Sequence, residues 1–486
     1  MKLKELFQNI PVQTVSCDGE TEVTSITLDS RRAVPGTVFC AIAGAESGIH
    51  GIRYAEKAVE NGAVCVLCDT DCPEGLPFVR VADAEKALAE ISAAFYGHPA
   101  DRLRLIGVTG TNGKTTTTHL IRDILTHAGK KCGLIGTNEL MIGDEVISSH
   151  PAFATTPEPP ELHALLKQMA DDGCEFAIME VSSHALALNR VHGLQFEAAA
   201  FTNLSQDHLN YHGTMEAYAA AKAQLFRQAD CSVIHLDADF APQMLAAATG
   251  KTMTFSLRSN QADLIAKSVR LFPHAVEFEA LTVSNIQRMR VNIPGAFSVE
   301  NALAAIGVCQ AVGLTLPDIA EGLAGAAGVC GRAEVVPVDQ PYTVMIDYAH
   351  SPDSLSNILK TVRPITEGRL ILVFGCGGDR DRTKRPIMGR IGECMADFCV
   401  VTSDNPRTED PNAILDEIVA GMKKTNHICV ENRREAIGYA LDLAKPGDFV
   451  LIAGKGHEMY QEIQGVRYPL DERAVIREHL LGKGGA

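Results

Sequence analysis

The sequence predicts an α/β protein of three domains: a smaller N-terminal α/β domain over residues 1–100, a central domain over 101–335 built on a P-loop-type parallel sheet, and a C-terminal Rossmann-like domain over 336–486. Three observations lead there. The chain has 486 residues, too many for one hydrophobic core and enough for about three domains at roughly 150 residues each. Apolar strand-like runs alternate with helical patterns in two separate sets, as in parallel sheets covered by helices. A glycine-rich turn follows the first apolar run of the central part and opens a helix, an arrangement suited to holding phosphate.

The elements follow in order. Short strand-like pieces at Val23 to Leu28, Val38 to Ala43, Ala63 to Cys68 and Phe78 to Val81 are separated by Gly, Pro and Asp, and "FYGHPADRL" reads as a linker. The central set comprises "LRLIGVTG", the helical "KTTTTHLIRDILTHAG", "KKCGLIGT", a helix ending near Gly173, "CEFAIMEVSS", "FEAAAFTNLS" and "CSVIHLD". After "GVCGRAEVVP" a second set places strands at "YTVMIDYA", "RLILVFGCGG", "DFCVVTSD" and "DFVLIAGKG". Open α/β sheets bind ligands beyond the carboxyl ends of their strands. Three polar loops occupy such ends, Gly375 to Arg382, Asp404 to Arg407 and Gly454 to Glu458, and are expected to face one cleft.

Composition narrows the function. With 46% hydrophobic and 21% charged residues and no tryptophan, the chain has the make-up of a globular protein. Its start, MKLKELFQNIPVQ, lacks the apolar core of a signal peptide, and no run approaches the roughly 18 apolar residues of a membrane span. A cytoplasmic protein is expected. Fourteen cysteines, among them Cys132, Cys174, Cys309, Cys399 and Cys429 in apolar runs, read as reduced core thiols. Cys65, Cys68 and Cys72 cluster, but no second ligand group follows, so a metal is not expected there. A formal net charge of −16 argues against a nucleic-acid partner, while a nucleotide needs only local amides, a lysine and Mg²⁺.

In "GVTGTNGKTTTTHL", Gly110, Thr111, Asn112, Gly113, Lys114, Thr115 and Thr116 form the phosphate-binding turn. Lys114 would reach the β and γ phosphates and Thr115 would offer a hydroxyl to Mg²⁺. The usual first glycine of such a loop is here Val108, flanked by Gly107 and Gly110. Glu180, closing an apolar strand, and His208, following the next one, are candidate Mg²⁺ groups, with solvated loop residues as the plainer reading.

In order along the chain, "GTNGKTTT", "EVSSHAL", "TNLSQDHLNYHG", "AAAKAQLF", "ENALAAI", "GRAE", "DYAHSPDSL", "GCGGDRDRTKRP", "SDNPRTEDP" and "AGKGHE" resemble the Mur ligases, ATP-dependent amide-forming enzymes of peptidoglycan precursor synthesis. Within the family the chain is most similar to members that join meso-diaminopimelate to UDP-MurNAc-L-Ala-D-Glu. The resemblance implies a UDP-binding N-terminal domain, a central ATPase domain and a C-terminal domain that admits the amino acid; separately, a monomer is expected. It implies phosphoryl transfer from ATP to the D-glutamate side-chain carboxylate, then attack of the amine on the acyl phosphate.

The same resemblance implies residue roles. Lys114 and Arg332 would stabilise the transferring phosphate, Thr115, Glu180 and His208 would serve Mg²⁺, Asn301 would meet adenine, and Asp347 and His350 would lie near the ribose. Lys222, otherwise an ordinary helix lysine, matches a carbamylated lysine whose anion can ligate a second Mg²⁺. Leu28 and Ser30 match nucleotide-sugar contacts, and Thr155, Thr156, Ser182 and Arg190 match contacts to the muramoyl peptide. Leu188 departs from the glutamine expected there, which puts one contact in doubt unless Asn189 supplies it. Arg385, Asp404, Asn405, Pro406, Arg407, Gly454 and Glu458 match the diaminopimelate pocket, where a guanidinium can meet the second carboxylate that L-lysine lacks. The same reaction with L-lysine, and a nucleotide-dependent switch that makes no bond, are the alternatives.

Overall fold

The computed structural model describes residues 1–44, 48–148 and 155–483. They form two compact units, one of residues 1–265 with 303–322 and one of residues 266–302 with those from 323 onward. The helix Ala296–Ala311 has residues in both.

The first unit opens with a sheet of β1 (Val12–Val15), β2 (Ser25–Thr27), β3 (Thr37–Cys40), β4 (Ala63–Cys68) and β5 (Phe78–Val81), in the order β1-β5-β4-β3-β2. β1 is antiparallel to β5 and the other pairings are parallel. Successive strand residues point to opposite faces. Val38, Cys40, Cys65 and Leu67 therefore enter one apolar cluster while Phe39, Val66 and Cys68 enter another. Burial on both faces explains why these strands read as continuous apolar runs. β1 gave no such signal, because all four of its residues are exposed. The predicted strand from Val23 shrinks to Ser25–Thr27, and the predicted linker folds as a short 3-10 turn, Pro99–Arg102.

The larger sheet of this unit contains β6 (Arg104–Thr109), β7 (Cys132–Ile135), β8 (Leu140–Ile142), β9 (Glu145–Ser148), β10 (Phe176–Glu180), β11 (Phe196–Phe201), β12 (Ala229–His235) and β13 (Lys251–Ser256). Their order is β13-β12-β11-β6-β10-β7-β8-β9, parallel from β13 to β7 and antiparallel at β8 and β9. β6 is central, with Leu105, Ile106 and Val108 buried, each stabilising the sheet by about 1.5–3 kcal/mol. β10 and β11 are consecutive in sequence but flank β6 on either side, so a crevice opens beyond the end of β6. The glycine-rich turn begins there.

The second unit begins within β14 (Leu264–Phe272), which precedes the antiparallel pair β15 (Ala275–Leu281) and β16 (Ile286–Val291). The C-terminal sheet holds β17 (Glu334–Val336), β18 (Thr343–Asp347), β19 (Leu370–Phe374), β20 (Phe398–Val401), β21 (His427–Cys429) and β22 (Phe449–Ala453) in the order β17-β18-β22-β19-β20-β21, parallel except at β17. A separate hairpin, β23 (Tyr460–Ile463) with β24 (Val466–Pro469), follows.

None of the cysteines is joined in a disulfide, and Cys17 Sγ sits 3.6 Å from Cys65 Sγ, a thiol contact rather than a bond. Cys429 corrects one expectation: it lies exposed on the edge strand β21 instead of in the core. An edge strand has a neighbour on one side only, so an apolar sequence there does not guarantee burial. Among the described residues no helix is long and apolar enough to cross a membrane.

Candidate active site

The turn after β6 is shaped by backbone constraints. A Cβ at Gly110 would collide with the Thr202 hydroxyl, and Gly113 has φ +85°, where a side chain is strained. Gly113 precedes the helix Lys114–His127, whose first amides are therefore open at the turn. The end of β11 straps the loop in place: Thr111 N donates to Asn203 O at 2.9 Å, Asn112 N to Asn203 Oδ1 at 2.9 Å, and Thr202 Oγ1 to Asn112 O at 2.6 Å. Lys114 Nζ donates to the carbonyls of Gly110 and Thr111 at 3.1 and 3.0 Å. Thr116 is buried on the first turn of the helix.

Glu180 ends β10 with 1% exposure, and its carboxylate accepts from Thr115 Oγ1 at 3.0 Å and from Thr137 N at 2.8 Å. A hydroxyl and a carboxylate at contact distance beside a phosphate loop suit Mg²⁺, which takes few protein ligands and completes its shell with phosphate oxygens and water. Among the described residues no cluster of three or more His, Cys, Asp or Glu side chains stands ready as a metal site.

Lys222 is only 1% exposed in the helix Met215–Ala223. Its Nζ donates to Gly110 O at 2.8 Å and lies 4.6 Å from the Tyr218 ring centroid. Burial, aided by the charge of Lys114, holds its pKa well below the ordinary lysine value, and Asp207 only partly opposes this. The amine is thus biased toward its neutral, nucleophilic form. His208 has φ +53° and stacks edge-on against His184 at 4.8 Å. His212 lies 5.5 Å from His184, and its Nε2 is 3.0 Å from Ser183 Oγ. Burial and the neighbouring His184 push the His212 pKa down to about 4, so this ring stays neutral near pH 7. Sequence reasoning passed over His184 and His212; the spacing of His208 and His212 by one helical turn was the available signal.

Residues assigned to the muramoyl side gather around the same strand end. Thr156 Oγ1 donates to Glu180 O at 2.9 Å and accepts from Ser182 N at 3.1 Å, and Ser182 Oγ caps the helix Ser183–Ala187. Thr137 Oγ1 approaches Thr155 Oγ1 at 3.1 Å. Arg190 donates to Thr156 O at 2.9 Å and pairs with Glu158. Leu28, Leu188, Glu158, Ile42 and Tyr54 line a cavity of about 230 Å³, so Leu188 presents an apolar surface beside Leu28. Asn189 donates to Glu85 Oε2 at 3.2 Å. Ser30 is buried and its carbonyl accepts from Asn61 at 2.8 Å. A cavity of about 610 Å³ elsewhere in this unit, lined by Leu6, Ala93, His163 and His192 among others, includes none of the phosphate-turn residues.

In the second unit the turn after β20 is a network of side chains. Asp404 and Asn405 are buried, and Arg407 has φ +51°. Asp404 Oδ1 accepts from Asn405 N at 2.7 Å. Burial pulls the Asp404 pKa upward, but the charges of Lys455 and Arg433 outweigh it and hold the carboxylate ionised. A Cβ on Gly454 would stand 2.6 Å from Asp404 Oδ2, so only glycine leaves that oxygen room. Pro406 turns the chain, and Arg407 Nη1 donates to Gly378 O at 2.7 Å. β23 clamps the turn from outside through Gln461 Nε2 to Asp404 O at 2.7 Å and Arg407 N to Glu462 O at 3.0 Å. Arg385, with no exposed side-chain surface, is committed to Glu409 at 2.8 and 2.9 Å and to Glu417 at 2.8 Å.

Beneath this turn lies a buried ion pair, Arg433 Nε to Glu472 Oε1 at 2.7 Å. Arg433 also donates to Ala453 O, at the end of β22, at 2.9 Å. Neither residue was singled out in the sequence. Asp347 ends β18, accepts from Ala333 N and Ala349 N at 2.8 Å each, and has its pKa raised by burial. Arg332 stacks 4.9 Å over Tyr348, while His350 is exposed with Nδ1 2.8 Å from Tyr348 O. Asn301 is buried on the helix Ala296–Ala311.

Comparison with known proteins accords with this layout. Residues 108–309 match the Mur ligase middle domain and residues 331–456 match the Mur ligase, glutamate ligase domain. A UDP-N-acetylmuramoyl-L-alanyl-D-glutamate--2,6-diaminopimelate ligase of Clostridium tetani is 44% identical over 98% of this chain and 99% of its own. A solved structure of a ligase of that description superposes with a TM-score of 0.74 at 32% identity, covering 100% of both chains. Mycobacterium tuberculosis folylpolyglutamate synthase, solved with ADP and AMPPCP, shares the fold at 19% identity, with a TM-score of 0.63 over 76% of this chain and 92% of that one.

Proposed function

The chain belongs to the Mur ligase family, and from that premise we propose that it is an ATP-dependent amide ligase of peptidoglycan precursor synthesis, adding meso-diaminopimelate to UDP-MurNAc-L-Ala-D-Glu. The observation that carries the reading is the Asp404-Asn405-Pro406-Arg407 turn, set at a strand end with charged and amide groups, in a chain 44% identical to a 2,6-diaminopimelate ligase.

A carboxylate is a poor electrophile, so the D-glutamate side chain is activated first. Its oxygen attacks the γ-phosphorus of ATP, ADP departs, and an acyl phosphate remains. The diaminopimelate amine then attacks the acyl carbon, the C–N bond forms, phosphate leaves and the amine proton is lost. Catalysis consists chiefly of positioning and charge neutralisation. In the turn Gly110 to Thr116, Lys114 and the open amides at the start of its helix neutralise the phosphates, with Arg332 assisting the transferring group. Asn301 meets adenine, and Asp347 and His350 lie toward the ribose. Leu28 and Ser30 serve the nucleotide sugar, and Thr155, Thr156, Ser182 and Arg190 the muramoyl peptide. Asp404, Asn405, Arg407, Gly454 and Glu458 take the amino acid, and Arg385 supports their loops through Glu409.

Thr115, Glu180 and His208 would hold Mg²⁺, which when bound supplies charge neutralisation at the phosphates. Lys222 is the modification site in this reading. A neutral amine attacks CO₂, losing a proton and becoming a carbamate, and burial of Lys222 favours that neutral amine. The change converts a cation that repels a metal into an anion that attracts one. Three domains divided near residues 100 and 335, action as a monomer, and a cytoplasmic location complete the proposal.

The acyl phosphate is tested by labelling the D-glutamate side-chain carboxylate with ¹⁸O. Label transferred to the released phosphate supports the mechanism. Phosphate released without label would reject it.

A further inference from the structure

The groups assigned to the amino acid do not orient themselves. Asn405 Oδ1 accepts from Lys455 Nζ at 2.9 Å and from Glu462 N at 2.9 Å, while Asn405 Nδ2 donates to Glu458 Oε2 at 2.8 Å. Lys455 Nζ also donates to that same Glu458 oxygen at 2.9 Å. Lys455 has no exposed surface, and its ammonium lies 5.4 Å from the Tyr460 ring centroid.

These contacts fix a polarity. An ammonium and a backbone N–H are donors only, and an ionised carboxylate is an acceptor only. The Asn405 amide can therefore sit one way round, with its oxygen saturated by two donors and, among the described residues, one N–H left unengaged. Rotated by half a turn, it would set its NH₂ against two donors and its oxygen against the Glu458 carboxylate. Glu458 in turn has Oε2 filled by two donors and Oε1 left to accept. The pair thus presents one donor, suited to a carboxylate, beside one acceptor, suited to an ammonium. That is the pattern of an amino-acid head group, such as meso-diaminopimelate carries at its far end and the L-lysine side chain does not.

We propose that Lys455 is a positioning residue for amino-acid specificity: it sets the orientation of Asn405 and Glu458 so that the site reads a paired ammonium and carboxylate. The proposal rests on the diaminopimelate reading of the pocket. Lys455 acts through those two side chains, and the β23 clamp supplies the second donor through Glu462 N.

The test is steady-state kinetics of the full-length protein carrying Lys455→Met, with Lys455→Gln as the substitute where the methionine variant does not fold. The KM for meso-diaminopimelate should rise about tenfold or more, with the KM for ATP held within about twofold and the preference over L-lysine reduced. Placing Lys455→Met on an Asn405→Ala, Glu458→Ala background should add less than about threefold, because both side chains through which the lysine acts are already removed. An unchanged diaminopimelate KM, an equal loss across all three substrates, or full additivity on the Asn405→Ala, Glu458→Ala background would overturn the proposal. Wild-type protein that prefers L-lysine would instead overturn the functional reading beneath it, so the two failures are distinguishable.

Discussion

The turn proposed to hold phosphate and the pocket proposed to take the amino acid lie at strand ends in the two units, yet they are built differently. The turn is mainly backbone: Gly110 and Gly113 give it shape, amides at a helix start give it donors, and strapping from Thr202 and Asn203 holds it. The pocket is mainly side chain, with Asp404, Asn405, Arg407 and Glu458 aimed by Lys455, Arg433, Glu472 and the β23 clamp. A site made of backbone can bind any nucleoside triphosphate presented to it, because phosphates are common to all. A site made of interlocked side chains can discriminate between amino acids, but it depends on several buried charges being correctly paired.

Substitutions should separate the two designs. The largest effect is expected from Lys114→Ala, which removes the charge proposed to meet the phosphates and should slow phosphate release by about 10²–10³-fold or more without lowering the unfolding midpoint. Retained turnover would show that the turn's amides suffice alone. Next is Arg433→Met, which strands Glu472 in the interior and should cost about 3–5 kcal/mol in urea unfolding of the second unit. Burial already raises the Glu472 pKa against the opposing charge of Arg433, and losing that charge raises it further. The defect should therefore shrink as pH falls below neutrality and the carboxyl becomes neutral.

Arg407→Ala should act more narrowly, lowering kcat/KM for meso-diaminopimelate by about 10–10²-fold while leaving nucleotide binding intact. Loss of ADP affinity in that variant would mean the two sites are not separable. The smallest effect is expected from Glu409→Gln. Hydrogen bonds from Arg385 hold the Glu409 pKa down at about 2. Its contribution is complete above the ordinary carboxylate range and is lost as pH falls through about 2. The variant should melt slightly below wild type at pH 7, with the difference fading in strong acid.

The same contrast explains what the sequence made legible. The glycine-rich turn is contiguous, and the strand before it and the helix after it carry strong patterns, so the strand–turn–helix arrangement around Gly110 to Thr116 was readable. The alternation of apolar runs likewise anticipated the parallel strands of both sheets. The strands β14–β16 and the β23–β24 hairpin were missed: β16, β23 and β24 are largely polar or exposed, whereas β15 alternates buried Val276, Phe278 and Ala280 with Glu277 and Glu279, a period-two signal that was there to be read. Lys455 meets Asn405 across 50 residues of sequence, and Arg433 meets Glu472 across 39. No local spacing reports such pairings. Lys222 was opaque for another reason: its alanine-rich helix has no clear apolar stripe, so nothing in the spacing announced that the lysine faces inward.

The most direct test of the account is phosphate release by the purified protein with ATP, Mg²⁺ and UDP-MurNAc-L-Ala-D-Glu, comparing meso-diaminopimelate with L-lysine and weighing the product by mass spectrometry. The account predicts turnover and a tripeptide product with diaminopimelate, and little of either with lysine. Preference for lysine would contradict the role given to Arg407, and phosphate release that ignores both amino acids would contradict the ligase itself.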